Sequence, residues 1–282
     1  ILAQALAISA SLGPAPLSPR PARRPRQAGS VPRLPLPRQP RMPRSRSRSR
    51  SPRPRSTGSA PVRAAVAPDE AVKRVRSCKV IPVIKIEDAA HGVPLVRALL
   101  AGGIDVAEIT LRTPCAVDAI GQVAREFGDQ VCVGAGTVLE PEQVDLAVNA
   151  GADFIVSPGF SPKVAERCRQ LSVLYLPGAA TPTEVMRAVS EFGLRVLKFF
   201  PASNCGGVGM LKSFGSVFSD VIFMPTGGIT AANVKEYVSL PNVFAAGGSW
   251  MVADAAVKKA AESGSWSEIQ SSAREARASA LG

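Results

Sequence analysis

Residues 106–138 read VAEITLRTPCAVDAIGQVAREFGDQVCVGAGTV, and this stretch predicts a strand, a helix and a second strand in succession. Its two ends, Val106–Leu111 and Val131–Val138, are short runs rich in apolar residues, as in strands that are buried on both faces. Its middle, Ala116–Phe127, repeats apolar residues at helical spacing. A strand–helix–strand unit of this length is typical of a parallel α/β sheet.

The same alternation extends in both directions along the chain. The eight predicted strands are Val80–Ile86, Val106–Leu111, Val131–Val138, Phe154–Ser157, Val173–Leu176, Val196–Phe200, Val221–Pro225 and Val243–Ala246. An amphipathic segment follows each strand, a short helix over Asp69–Arg76 precedes the first, and a last helix spans Trp266–Leu281. Eight such units in roughly 200 residues predict a (β/α)8 TIM barrel, a single α/β domain over residues 69–282.

A doubly wound open sheet is the alternative fold for this pattern. Its dinucleotide-binding form has three glycines in a G-x-G-x-x-G motif after the first strand. The closest match in the chain, Gly134-Ala135-Gly136-Thr137, lacks the third glycine. The sequence therefore favours the barrel.

Residues 1–68 have a different composition from the rest of the chain. They hold 14 of the 34 Lys and Arg residues and none of the 22 Asp and Glu, so residues 69–282 have 20 basic and 22 acidic groups. The net charge of +12 therefore belongs to this Pro-, Ser- and Arg-rich segment, which we expect to be a disordered extension. We interpret it as an organelle transit peptide, with an RS-type interaction segment and an artefactual leader as alternatives.

Cysteine and histidine contents exclude several classes of site. The five cysteines form no C-x-x-C pair, and the chain has one histidine, His91. A disulfide scaffold, a multi-histidine metal site and a Ser-His-Asp triad centred elsewhere are therefore not indicated. No apolar run reaches the length of a membrane span.

Polar residues at the end of the second predicted strand are the first candidates for chemistry. Glu108, Thr110 and Arg112 alternate along it and therefore share one face. In a barrel the outer face packs against helices, so this polar face should point inward, towards the carboxyl ends of the strands where barrel active sites lie. A buried Glu108 carboxylate suits a general acid or base, and an internal ion pair with Arg112 is the alternative.

The sixth predicted strand contains Lys198 within the apolar run Val196-Leu-Lys-Phe-Phe-Pro201. Lysine is rarely buried without a reason, and loss of water favours the neutral amine that a Schiff-base nucleophile needs. The alternative is a lysine whose ammonium extends past the rim into water. A nearby carboxylate would help to move protons for it, and Glu108 is the candidate.

Glycine pairs follow the seventh and eighth predicted strands, at the loops where barrels commonly bind phosphate. They are Gly227-Gly228 and Gly247-Gly248, the second followed by Ser249. Glycine lets backbone N–H groups approach an anion closely. Three further residues end predicted strands and should line the same mouth: Thr137, Pro158 and Lys85.

These motifs resemble, in order and spacing, those of the 2-keto-3-deoxy-6-phosphogluconate (KDPG) aldolase family over about residues 78–262. The matching runs are Glu108-Ile-Thr-Leu-Arg112-Thr113, Gly134-Ala-Gly-Thr137, Ser157-Pro158-Gly159, Lys198-Phe-Phe-Pro-Ala202, Pro225-Thr-Gly-Gly-Ile229 and Gly247-Gly-Ser-Trp250. The family includes members that act on 4-hydroxy-2-oxoglutarate (KHG). The resemblance implies a homotrimeric class I aldolase with no cofactor and no metal, which cleaves a phosphorylated keto acid.

The resemblance also implies roles for individual residues. Lys198 corresponds to the Schiff-base lysine and Glu108 to the general acid/base. The groups that hold the pyruvyl carboxylate correspond to Arg112 and Thr137, and the remaining matched positions line the pocket or bind phosphate: Pro158, Thr226, Gly227, Gly228, Gly247, Gly248 and Ser249. The extension has no counterpart in bacterial members, which fits a transit peptide for the chloroplast stroma.

Two other functions stay open at this point. A barrel isomerase could use the same phosphate site, but it would form no reducible imine. The Arg-rich extension could make the chain a nucleic-acid-binding protein, although we expect neither a nucleic-acid nor a membrane partner for the folded part, since its charge is nearly balanced.

Overall fold

The computed structural model describes residues 66–282. The predicted extension, residues 1–68, therefore lies outside the described residues except for its last three. The expectation that this extension is disordered lies outside them as well. Helix α1, Pro68–Cys78, begins the folded domain one residue before the predicted boundary. Within the described part, no helix is long and apolar enough to cross a membrane.

Nine short parallel strands among residues 66–282 build the barrel. They are β1 (Val80–Ile84), β2 (Val106–Thr110), β3 (Cys132–Gly136), β4 (Phe154–Val156), β5 (Leu174–Leu176), β6 (Gly178–Ala179), β7 (Val196–Phe199), β8 (Ile222–Pro225) and β9 (Ala246–Gly248). Six of them pair in the order β5-β4-β3-β2-β1-β9, and the other three in the order β6-β7-β8. Isolated bridges from Phe223 to Val243 and from Thr226 to Gly247 join β8 to β9.

The second junction between the two sheets lies at Pro177, which separates β5 from β6. The Lys198 backbone N–H donates to the Pro177 carbonyl at 2.8 Å, which holds β7 against this break. Strands β5 and β6 are thus one barrel position, and the predicted eight-position barrel is confirmed. The open-sheet alternative is wrong, because both ends of the strand sequence are paired.

In the part of the chain that the structure describes, ten α-helices alternate with the strands or flank them. After α1 they are α2 (Gly92–Ala101), α3 (Ala116–Phe127), α4 (Pro141–Ala150), α5 (Pro162–Gln170), α6 (Pro182–Phe192), α7 (Gly207–Val217), α8 (Val234–Val238), α9 (Asp254–Ser263) and α10 (Ser267–Leu281). Helices α5 and α6 each start with a cap residue, Ser161 or Thr181, directly before a proline.

Two predicted boundaries are wrong in a way that affects the site. The last strand was expected at Val243–Ala246, but β9 spans Ala246–Gly248 and pairs with the beginning of β1. The second glycine pair is therefore inside a strand, not in a loop after it. The predicted fifth strand also omits β6, because Pro177 and Gly178 are poor strand formers by composition.

The amino-terminal end of the barrel is covered by α1 and by the residues that lead into it. Ala71 and Val75 of α1 are fully buried against the strands. The Val66 N–H donates to Oδ1 of buried Asp153, and the Val133 N–H donates to its Oδ2 at 2.8 Å. Since Asp153 directly precedes β4, the chain joins the barrel at the end opposite the carboxyl ends of the strands.

The capping box of α6 makes a pH-dependent contribution to stability. Partial burial acts to raise the pKa of Glu184, but hydrogen bonds from the Ala180 and Thr181 N–H groups and the Thr181 hydroxyl outweigh it and lower the pKa. A carboxyl with a lowered folded-state pKa stabilises the fold above its unfolded pKa, and this contribution is lost as the pH falls through the folded pKa.

We therefore expect Glu184→Ala to lower the free energy of unfolding by about 1 kcal/mol at pH 7. The difference from wild type should shrink as the pH falls below about 4.3, the usual glutamate value. Urea denaturation at a series of pH values measures both effects. Thr183→Ala, an exposed change in the same turn, is the control, and a pH-independent effect of Glu184→Ala would contradict the assignment.

Candidate active site

Lys198 and Glu108 meet inside the barrel. Lys198 is 5% exposed and Glu108 is 0% exposed, and the Lys198 ammonium lies 3.3 Å from Glu108 Oε1. The residues come from β7 and β2, which are not neighbours in the sheet order, so their side chains meet across the interior. An amine and a proton acceptor thus lie within one hydrogen bond of each other, as acid–base chemistry at a nucleophile requires.

The strand pattern explains why these two side chains point inward. Leu197 and Phe199, on either side of Lys198, face outward from the barrel and are fully buried in the apolar core. Lys198 itself is in register with Gly178 and Met224 on the adjacent strands. Both alternative interpretations from the sequence are wrong: Lys198 does not extend into water, and the partner of Glu108 is Lys198, not Arg112.

One oxygen of Glu108 has no hydrogen-bond partner among the described residues. Oε1 faces Lys198, while Oε2 is buried and unpaired. The Thr226 hydroxyl, on a residue that is 5% exposed, is likewise buried without a partner in the described part of the chain. Buried polar atoms are nearly always paired in folded proteins, so these two point to a space in which a polar ligand completes the hydrogen bonding.

Arg112 is held at the mouth by a relay of hydrogen bonds. Its Nε donates to the Thr110 hydroxyl at 3.0 Å, and that hydroxyl donates to the Ile84 carbonyl at 2.8 Å. No carboxylate within residues 66–282 lies at ion-pair distance from Arg112. The guanidinium is therefore an oriented cation that can bind a planar carboxylate through two parallel N–H groups.

Thr137 directly follows β3 with a backbone φ of 59°. A β-branched residue is strained in this left-handed region, and such strain is concentrated at functional sites. The strain turns the chain immediately beyond Gly136, next to the Glu108 carboxylate. Beyond the neighbouring strand β4, the Pro158 carbonyl lies so close to Gly178 that a side chain at position 178 would overlap it.

The two glycine pairs come together on the β8–β9 side of the mouth. Gly227 and Gly228 form a turn with φ angles of 98° and 75°, which only glycine adopts without strain. Gly247 pairs with Thr226 and leaves room for its hydroxyl, since a Cβ at position 247 would lie 2.6 Å from that oxygen. Gly248 and exposed Ser249 follow. This arrangement can present backbone N–H groups to an anion.

Lys85 lies just beyond β1, on the same inward-facing register as Val83 and Glu108. Its ammonium forms an ion pair with Glu87, whose hydrogen bond and charge raise the pKa of Lys85. Lys85 thus stands at the rim with Glu87 as its partner and does not contact the Lys198–Glu108 pair.

The histidine and the buried cysteines have packing roles and lie outside the candidate site. His91 packs against Trp266, with ring centroids 6.3 Å apart. Burial raises the pKa of the Cys78 thiol to about 11 and that of the Cys168 thiol to about 12, as expected for inert core residues. Within residues 66–282, no group of three or more His, Cys, Asp or Glu side chains could hold a metal ion.

Sequence reasoning missed the role of two inward-facing glycines on β3. The fully buried ring of Phe154 occupies the space beside Gly134, and the Glu108 carboxylate occupies the space beside Gly136. Glycine inside a strand often marks such a close approach. The Gly134-Ala-Gly136 motif carries this signal, although the sequence pattern alone indicates only an incomplete dinucleotide fingerprint and a run shared with the aldolase family.

A family model described as KDPG and KHG aldolase matches residues 71–271. The curated 2-dehydro-3-deoxy-phosphogluconate aldolase of Treponema pallidum is 49% identical over 183 residues, which are 65% of this chain and 85% of the relative. The KHG/KDPG aldolase of Escherichia coli is 43% identical over 197 residues, which are 70% of this chain and 90% of the relative.

Two solved structures show the same likeness in three dimensions. The KDPG aldolase of Legionella pneumophila, with pyruvate captured as a covalent carbinolamine, is 40% identical with a TM-score of 0.68, covering 72% of this chain and 96% of that one. The KDPG aldolase of Zymomonas mobilis, with 3-phosphoglycerate, is also 40% identical with a TM-score of 0.68, covering 75% of this chain and 97% of that one.

Proposed function

Because the chain belongs to the KDPG and KHG aldolase family, we propose that the buried Lys198–Glu108 pair performs the family's chemistry. The enzyme is an aldehyde-lyase that cleaves 2-keto-3-deoxy-6-phosphogluconate to pyruvate and glyceraldehyde 3-phosphate through a Schiff base. The observation on which the residue assignment rests is the 3.3 Å approach of the two groups inside the barrel. A lysine and a carboxylate so placed can form and break an imine without a cofactor.

In the proposed mechanism Lys198 is the nucleophile. Its neutral amine, with the proton lost to solvent, attacks the C2 ketone, and a proton from solvent lets the carbinolamine hydroxyl leave as water, which gives an iminium. The Glu108 carboxylate stays unprotonated for the next step. The iminium accepts the electron pair of the C3–C4 bond as Glu108, acting through water, removes the C4 hydroxyl proton. Glyceraldehyde 3-phosphate leaves, and protonation of the enamine at C3 followed by hydrolysis releases pyruvate and restores the amine.

The rest of the mouth orients the substrate. The Arg112 guanidinium and the strained Thr137 are placed to bind the carboxylate of the pyruvyl half. Pro158 and Thr226 line the interior between this end and the glycine pairs. The distal phosphate is bound by Ser249 and by the backbone of the two glycine pairs, Gly227-Gly228 and Gly247-Gly248. Lys85 adds a cation at the rim.

A second substrate, 4-hydroxy-2-oxoglutarate, fits the same chemistry because its C3–C4 bond also lies beside a C2 ketone and a C4 hydroxyl. Its distal group is a carboxylate, which the glycine pairs would hold less well than a phosphate. We propose that the enzyme cleaves it to pyruvate and glyoxylate more slowly than KDPG. Initial rates with each substrate, measured as pyruvate release, test the order.

The decisive experiment measures pyruvate release from KDPG by the purified full-length chain with coupled lactate dehydrogenase. An isomerase using the same phosphate site would release none and would form no imine that borohydride reduces. If the chain instead acts through its Arg-rich extension, removing residues 1–68 would abolish its nucleic-acid binding. The proposed function requires that cleavage of KDPG survive that removal.

We also propose that the enzyme is a homotrimer. The described part of the surface exposes large apolar side chains on and beside two outer helices, and burial against a second copy would remove them from water. They are Leu139, Leu146 and Met186, each more than half exposed. Light scattering after size exclusion should give three times the chain mass, and Leu146→Asp should lower it. A monomeric wild type would contradict the proposal.

For residues 1–68 we propose a transit peptide that directs the enzyme to the plastid stroma, on the basis of their 14 basic and no acidic residues. We expect residues 1–68 fused to a fluorescent protein to accumulate in chloroplasts of leaf cells, while a fusion of residues 69–282 stays outside them. Accumulation of the first fusion in mitochondria or nuclei would overturn the proposed address.

A further inference from the structure

We propose that Gly136 is a positioning residue that holds the Glu108 carboxylate against Lys198 by leaving room for it. The inference rests on the proposed role of the Lys198–Glu108 pair and extends it to β3. A Cβ built on Gly136 would lie 2.7 Å from Glu108 Cγ and 2.8 Å from its Cδ, and would overlap Oε1. Real Cβ atoms do not approach other heavy atoms so closely, so Glu108 has to move if residue 136 has a side chain.

The strand register explains this contact. Glu108 is in register with Gly134, and Gly136 is two residues further along β3. The Glu108 side chain therefore rises along the barrel axis and passes over Gly136 before it reaches Lys198 from the opposite wall. The backbone of Gly136 does not need glycine for its own conformation, because its φ is not among the positive values. The three atoms nearest to that Cβ all belong to Glu108, so we attribute the requirement to Glu108.

Movement of Glu108 would separate a proton carrier from the amine but leave the amine in place. Lys198 is held by its own strand, in register with Gly178 and Met224. We therefore expect Gly136→Ala to impair proton transfer more than imine formation. A general packing defect would not separate these two steps.

The exchange of pyruvate methyl protons with D₂O isolates the proton transfer. Lys198 and pyruvate form an iminium with loss of water, a base removes a methyl proton to give the enamine, and a deuteron from solvent returns to the same carbon. NMR follows the exchange, and reduction by borohydride reports how much iminium forms. We expect Gly136→Ala to slow exchange by about 10²-fold, while the trapped fraction at saturating pyruvate changes less than about threefold.

A double-mutant cycle with Glu108→Ala separates an effect through Glu108 from a structural one. Removing the Glu108 carboxylate removes the overlap, so Gly136→Ala should cause no further loss of exchange in that background. The melting temperature should follow the same rule, with Gly136→Ala lowering it by about 4 °C or more in wild type and by much less beside Glu108→Ala. If Gly136→Ala alone fails to fold, recovery of folding by Glu108→Ala supports the proposal, and failure of both refutes it.

Two glycines give matched controls. Gly134→Ala, on the same strand, would bring a Cβ within 2.6 Å of Phe154 Cδ2, so it should lower stability in both Glu108 backgrounds alike. Gly209→Ala, with open space around it, should change neither stability nor exchange. Unchanged exchange in Gly136→Ala, or equal losses with and without the Glu108 carboxylate, would overturn the proposal. A wild type that traps no pyruvate would instead refute the proposed function.

Discussion

Lys198→Met should abolish aldol cleavage, with a loss of at least about 10⁴-fold in the rate of pyruvate release, because no other buried lysine in the described part of the chain can replace its amine in forming the imine. Among the described residues, Lys198 is the one lysine in the buried set. Borohydride with pyruvate should add the mass of a reduced pyruvyl adduct to the wild type, and peptide mapping should locate it at Lys198. The Lys198→Met chain should gain no mass.

The exposed Lys212 provides the matched control, since Lys212→Met changes the same side chain on the outer surface and should trap pyruvate normally. Loss of the ammonium leaves the Glu108 carboxylate buried without its partner, at a cost to stability of about 3–5 kcal/mol. Lys198→Met combined with Glu108→Gln removes both charges and keeps the comparison possible if the single variant unfolds. Label on a different lysine in the wild type would refute the assignment of the nucleophile.

Glu108→Gln should lower the rate of KDPG cleavage by about 10²–10⁴-fold while pyruvate is still trapped at Lys198. The carboxamide keeps the size of the side chain and an oxygen that can accept from the Lys198 ammonium at 3.3 Å. It cannot take up and return a proton, which both carbon–carbon cleavage and enamine protonation require.

Steady-state kinetics and the borohydride trap, measured on the same preparation, separate the two effects of Glu108→Gln. We expect the loss in kcat, with little change in KM, because the carboxylate and phosphate sites for the substrate are elsewhere in the mouth. A variant that retains cleavage within about tenfold of wild type would show that water or another group moves the proton. A variant that traps no pyruvate would assign Glu108 to imine formation itself.

Local sequence patterns were sufficient for the barrel and for its two central side chains. Lys198 is a single charged residue in an otherwise apolar strand, and Glu108 is a charged residue on the strand face that should point into the barrel. Both can be recognised from the sequence for that reason. The pairing of Glu108 with Lys198 was not predictable from local pattern, because the residues are 90 positions apart and meet only when the barrel closes. Arg112, four residues away from Glu108 on the same strand face, was the nearer candidate for the ion pair.

Glycine was the residue type whose role local reasoning identified least well. Gly227 and Gly228 form the expected turn, since a positive φ is a property of the backbone itself. Gly136 and Gly247 are required by side chains on neighbouring strands, and a single strand read alone does not show which neighbour will occupy the space. For the same reason the sequence predicted Gly247 in a loop, whereas it lies in β9 and pairs with β1.

The attachment of Val66 to Asp153 determines where additions to this enzyme are tolerated. Since that junction lies at the end of the barrel remote from Lys198, a carrier domain, a purification handle or a solid support coupled upstream of it begins far from the opening through which solutes arrive. Immobilised or displayed forms joined through the amino terminus should therefore keep the solution rate constant.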